Sequence, residues 1–245
     1  MTVRCFLAFV LFFLPISAFA EPSKSGTEWL DAIDRANSPF QDAQLEVRVE
    51  VQKGNTQVER TLEIWQRGST ERRVRMSAPA RLAGVSLLVV EDGSLYSYLP
   101  AYRRTRKVVG EQRGDAFMGT DFSFDDLSRT GFADEFTAQV ENTEGPLITL
   151  ILKAIEPNKH RYPTHRLRVE ADSHLPRSIE HLDPSGSVQR RVQLNDVREV
   201  AGHPFAHQIQ LDDLERSRQC TATIESIQVN QNLPDRLFQV GQLGR

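Results

Sequence analysis

The chain has 245 residues with 30 Lys and Arg against 33 Asp and Glu, a formal net charge of −3, and 39% hydrophobic residues. That is long enough to bury a substantial core, and the near-balanced, slightly acidic charge excludes the electrostatic footprint of a nucleic-acid binder. Beyond the first twenty residues no apolar run approaches the roughly 18 residues of a membrane helix.

Residues 1–20, MTVRCFLAFVLFFLPISAFA, carry one cation, Arg4, then an apolar run from Cys5 to Ile16 and the small-residue pattern Ala18-Phe19-Ala20. This reads as a cleavable secretory signal peptide. The expected mature protein starts at Glu21, and residues 21–245 form a single domain. Position 21 is not cysteine, which argues against the lipid-anchored form of the signal. Cys5 leaves with the signal, so Cys220 remains alone and the domain is held without a disulfide. In RQCTATIESI, a strand-like pattern, it reads as a small core residue.

TEWLDAIDRAN, Thr27 to Asn37, has Trp29, Leu30 and Ile33 on one helical face and ends at Ser38-Pro39. The period then changes to two. Leu45, Val47, Val49 and Val51 alternate with polar residues, Lys53-Gly54-Asn55 turns the chain, and Val58, Arg60, Leu62 and Ile64 alternate on the return. ERRVRMSA, VSLLVVEDGSLYSYL (two strands about Asp92-Gly93) and TRKVVG follow. Later come LITLILKA, HRLRVEA, RSIEHLD, SVQRRVQLNDV, HQIQLDD and TATIESIQV. The count is about eleven strands with short connections, hence antiparallel neighbours. The fold class expected is mainly β with a few helices: a large curved antiparallel sheet, one face wet and one buried, forming an open half-barrel covered by helices or a lid.

GDAFMGTDFSFDDL, Gly114 to Leu127, interrupts the strands. Ser123 is placed to cap a short helix with Asp125 and Asp126 in its first turn. Phe117, Met118, Phe122, Phe124 and Leu127 supply apolar surface, and Gly114 and Gly119 allow movement. The segment reads as a lid on a greasy cavity. From Arg60 to Arg113, eleven cations face five acids; from Gly114 to Asn142, seven acids face one cation. Asp121, Asp125 and Asp126 are therefore expected to latch onto basic strands, with Arg73 and Arg75 as partners. The expected cavity residues are Leu62, Ile64, Trp65, Met76, Tyr96 and Tyr98 from the sheet, with Phe117, Met118, Phe122 and Phe124 from the lid.

Catalytic patterns are lacking in the sequence. It has no Gly-x-Ser-x-Gly turn, no phosphate loop, no Gly-x-Gly-x-x-Gly and no clustered metal ligands, so no enzyme, cofactor or metal is expected. The basic run AYRRTRKVV presents Arg103, Arg104, Arg106 and Lys107 as a docking surface for an anionic head group or an acidic protein partner.

The run from Pro79 to Arg129 carries a further signal. Gly84-Val85-Ser86-Leu87-Leu88, Tyr98-Leu99-Pro100, the basic strand Arg103 to Val109 and the Gly119 to Leu127 segment follow in this order. The combination resembles the outer-membrane lipoprotein-sorting, LolA-like family, and within it a largely uncharacterised branch. The resemblance implies a half-barrel with helices at its mouth, residence in the periplasm, and a monomeric, chaperone-like carrier of lipoprotein or lipid cargo. An inner-membrane RND-type exporter or an outer-membrane acceptor is the implied partner. It also implies an arginine touching the lid, for which Arg60, Arg73 and Arg75 are all candidates. The alternative is an envelope sensor or accessory module that docks to a membrane-protein partner through Arg103 to Lys107.

Overall fold

The structure, a computed structural model, describes residues 24–244; the expected signal peptide lies outside them. Helix α1 (Gly26–Asn37) is capped by Ser25, whose hydroxyl accepts from the Glu28 N–H while the Glu28 carboxylate accepts from the Ser25 N–H. Ser25 suits the cap because a carboxylate, Glu28, stands three residues on.

Thirteen strands follow: β1 (Asp42–Lys53), β2 (Thr56–Arg67), β3 (Glu71–Ala78), β4 (Ser86–Val89), β5 (Leu95–Leu99), β6 (Arg104–Lys107), β7 (Phe136–Glu144), β8 (Leu147–Ala154), β9 (Thr164–Glu170), β10 (Pro176–Leu182), β11 (Val188–Val200), β12 (His203–Asp213) and β13 (Arg218–Val229). They form one antiparallel sheet in the order β6-β5-β4-β3-β2-β1-β13-β12-β11-β10-β9-β8-β7. All neighbours are consecutive in sequence except β1 and β13, whose pairing joins the two halves. The sheet is not closed into a barrel, and with its covering helices it is an open half-barrel. Strand β7 is not among the strands expected from the sequence, because most of it is exposed and its apolar alternation stops after Val140.

The topology accounts for the odd segment at Gly114. Strands β6 and β7 are the two edges of the sheet, so the chain between them, residues 108–135, must travel from one edge to the other. It does so across the inner face, and it contains the short helix α2 (Phe124–Ser128). Successive residues of a strand point to opposite faces, which divides the core. On the inner face, Leu45, Val47, Val49, Leu62, Val74, Met76, Leu87 and Leu95 pack with Phe117, Phe122 and Phe124 of the crossing segment. Further along, Trp29, Leu30 and Ile33 of α1 pack with Phe132, Phe136 and residues of β8 and β9. On the outer face, Trp65 and Leu88 pack under the C-terminal segment through Phe238 and Leu243.

Candidate functional site

Between the inner face, the C-terminal end of α1 and the crossing segment lies a cavity of about 340 Å³. Its walls are predominantly apolar. They include Leu45, Val47, Leu62 and Ile64 of β1 and β2, Ile209 and Ala222 of β12 and β13, and Phe122 and Leu127 of the crossing segment. The volume falls at the lower end of the ~300–1,000 Å³ usual for small-molecule sites.

The crossing segment is built as a small tethered unit. Ala116 pairs with Ser123 as an isolated bridge, and the Phe117 N–H donates to the Phe122 carbonyl at 2.8 Å. The tight turn between them needs positive φ at Met118 (+49°) and Gly119 (+81°), which glycine adopts without strain. The buried Thr120 hydroxyl bonds the Phe117 carbonyl at 2.7 Å. Ser123 caps α2, and Asp126 completes the box by accepting from the Ser123 N–H at 2.7 Å. Phe117 is fully buried and meets Phe124 edge-on, with ring centres 5.4 Å apart.

Arginines hold this unit to the sheet. Arg72 donates to the Leu127 carbonyl at 3.2 Å and to the Arg129 carbonyl at 2.8 Å, while its other nitrogens bond Gln66 Oε1. Arg60 donates to the Met118 carbonyl at 3.3 Å. Asp126 pairs with Arg190 at 2.8 Å and Asp121 with Arg218, while Asp125 pairs with Arg113 at 2.7 Å within the crossing segment itself. Burial would raise the Asp126 carboxyl, but the charge and hydrogen bonds of Arg190, with help from His181 and Ser123, hold it at about 2. At Asp121 burial prevails over Arg218, and the carboxyl is raised. The far end of the segment is tied to α1. Asp34 accepts from the Phe132 and Ala133 N–H groups at 2.8 Å each, and a Cβ on Gly131 would sit 2.7 Å from its Oδ2.

A second, polar cavity of about 30 Å³ lies beneath α2, lined by Asp126, Arg129, His160, Tyr162, His165, His181 and Arg190 among others. Asp126 and Arg129 face both cavities. His165 and His181 stack edge-to-face at 4.6 Å. Burial pushes His181 down to about 3, against the opposing pull of Asp126, and pushes His165 well below its ordinary range. Among the described residues no group of three or more His, Cys, Asp or Glu is placed to hold a metal ion. Burial pushes the Cys220 thiol up to about 12, so it stays protonated within the inner core.

The structure sorts the residues expected from sequence. Leu62, Ile64 and Phe122 line the larger cavity. Met76, Phe117 and Phe124 are buried beside it in the inner core, and Met118 packs against that core. Trp65, Tyr96 and Tyr98 do not line the cavity: they project from the outer face against the C-terminal segment. Their odd–even position decides this, since Leu62 and Ile64 share one face of β2 and Trp65 takes the other. The arginine partners also need correction. Arg73 lies on the outer face, donating to the Leu237 and Leu243 carbonyls, and Arg75 pairs with Glu63 at 3.8 Å. Neither is placed against the three aspartates. Asp126 and Asp121 meet Arg190 of β11 and Arg218 of β13, Asp125 meets Arg113 of the crossing segment, and Arg72, beside Arg73, is an unexpected donor to the segment's carbonyls. Arg103, Arg104, Arg106 and Lys107 are exposed on and beside edge strand β6.

Residues 68–245 match the model of a family described as "Uncharacterized protein". No curated protein matches the chain. Among solved structures, a DUF1329 family protein from Desulfovibrio piger superposes with a TM-score of 0.82 at 18% identity, covering 91% of this chain and 100% of that one. A putative outer membrane lipoprotein-sorting protein domain from Vibrio parahaemolyticus gives 0.80 at 15% identity, with 90% and 98% covered. A LolA superfamily protein from Nitrosomonas europaea gives 0.74 at 17% identity, with 89% and 98% covered. At these identities the structural likeness speaks to the fold alone, which is that of the LolA-like structures; the family model spans most of the chain, and the chain belongs to that family of uncharacterized proteins.

Proposed function

We propose that the protein is a periplasmic carrier that shelters acyl chains of a lipid or lipoprotein in the larger cavity, under residues 114–132 as a movable lid, and performs no covalent chemistry. The observation that carries this reading is the apolar cavity roofed by a segment held through side-chain-to-carbonyl bonds and a few ion pairs. Lifting the lid costs part of the burial of Phe122 and Leu127. Each chain methylene that enters contributes about 0.8 kcal/mol, so uptake and release stay close to balance. The Vibrio relative's description as a lipoprotein-sorting domain agrees with this reading.

Organic extraction of the purified protein followed by mass spectrometry tests it. Acyl species at a stoichiometric level are expected. An extract free of them, together with no saturable binding of a fluorescent acyl probe, would overturn the carrier.

A docking role at strand β6 has its own support. Arg104 to Lys107 form an open, fully exposed sheet edge, flanked by the exposed Tyr102 and Val109. Among the described residues, Arg103, Arg104, Arg106 and Lys107 enter no ion pair. This edge is the proposed contact with a membrane partner, an exporter of the RND type or an outer-membrane acceptor. The same surface would serve an envelope sensor.

A further inference from the structure

The charges around the apolar cavity do not all have counter-charges. Four ionisable side chains reach its wall: Asp42, Arg72, Asp126 and Arg129. Asp126 is committed to Arg190. Asp42 is buried and accepts from the Gln231 and Leu233 N–H groups at 2.8 and 3.0 Å. Arg129 pairs with Glu135 at 3.4 Å and lies over the Phe132 and Phe136 rings. Of the two cations, Arg72 is the one without a carboxylate, as Asp42 is the acid without a cation. The acceptors of Arg72 are the neutral Gln66 Oε1 and the Leu127 and Arg129 carbonyls, and it meets no carboxylate among the described residues. Burial pushes its guanidinium down to about 10, and no neighbouring acid offsets the loss of water.

A half-buried cation without a counter-charge is costly, and a planar guanidinium is matched to a carboxylate or phosphate. Two of the acceptors now on Arg72 belong to the lid. When the lid lifts, they leave, and the cation faces the cavity with only Gln66 attached. We infer that the ligand is an amphiphile with one acyl chain and an anionic carboxylate or phosphate head, and that Arg72 is the counter-charge for that head. The head group and the lid carbonyls then compete for the same donors, which couples ligand entry to lid release. The cavity volume of about 340 Å³ suits one chain rather than several. The inference rests on the carrier reading, and it adds the head-group chemistry.

Competition against a fluorescent acyl probe tests it with four ligands of equal chain length: decanoate, decyl phosphate, 1-decanol and decyltrimethylammonium. Acetate and inorganic phosphate serve as heads without chains. In the wild-type protein, decanoate and decyl phosphate are expected to bind about tenfold or more tighter than decanol, while acetate and phosphate alone do not compete. In Arg72→Gln the preference for the anions over decanol is expected to fall to about twofold or less, and in Arg72→Lys part of it is expected to return. Equal binding of decanoate and decanol by the wild type, or an unchanged preference in Arg72→Gln, overturns the inference and leaves the carrier standing. If Arg72→Gln does not fold, the wild-type ligand series and Arg72→Lys still decide. Failure of every chain-bearing ligand to compete overturns the carrier itself.

Discussion

Arg72 and Arg73 are adjacent in sequence and serve opposite sides of the sheet. Arg72 holds the lid through the Leu127 and Arg129 carbonyls, and Arg73 holds the C-terminal segment through the Leu237 and Leu243 carbonyls. The pair gives an internally controlled experiment. Hydrogen bonds from a charged donor contribute about 1.5–3 kcal/mol each, so Arg72→Leu should raise amide exchange in residues 124–132 by about tenfold or more. Arg73→Leu should leave those amides unchanged and speed exchange near residues 237–243. Mass-spectrometric hydrogen exchange reads both, and faster lid exchange in Arg73→Leu alone would reverse the assignment. Residue types and their local periodicity were legible in the sequence; partners were less so. The alternation that places Leu62 and Ile64 inside already excludes Trp65. The partners of Asp121 and Asp126 were out of reach because Arg218 and Arg190 become neighbours only through strand order.

At the level of elements, the lid carries a sensitivity to acid. Its helix α2 presents Asp126 to Arg190 and His181, with Arg129, His160 and His165 around the same small cavity. His181 is held near 3, below the ordinary 6.5, so the unfolded chain binds its proton first. Stability from this group is complete above about pH 6.5 and is lost as the pH falls toward 3. Asp126, near 2 against an ordinary 3.8, adds a further loss between those values. The unfolding free energy read from urea titrations should therefore fall steadily as the pH drops from 6.5, by a few kcal/mol in total, and the midpoint with it. His181→Phe should flatten the upper part of that fall and keep the part below pH 4. A midpoint that does not move between pH 6.5 and 4 would contradict this picture of the chamber. The capping box of α2 was visible from Ser123 and the acids after it. The histidine chamber was not, since His160, His165 and His181 come from β9, β10 and the loop before them and meet only under the lid.

The whole molecule follows from one topological fact. A meander whose two edges are β6 and β7 must carry the chain between them across the sheet, and that crossing roofs the inner cavity as the proposed lid. Pairing of β1 with β13 brings the two halves together around the cavity. The antiparallel order was readable from short turns such as Asp92-Gly93, while β7 and the C-terminal cover of the outer face were hidden by their exposure and irregularity. The central claim is that an acyl chain enters between the inner face and the lid. A crystal structure with a fatty acid brominated at its chain end tests it most directly, because anomalous scattering locates the bromine. A bromine peak is expected among Leu62, Ile64, Ile209 and Phe122; a peak on the outer face beside Trp65 and Tyr98, with the inner cavity closed to the chain, would contradict chain entry beneath the crossing segment.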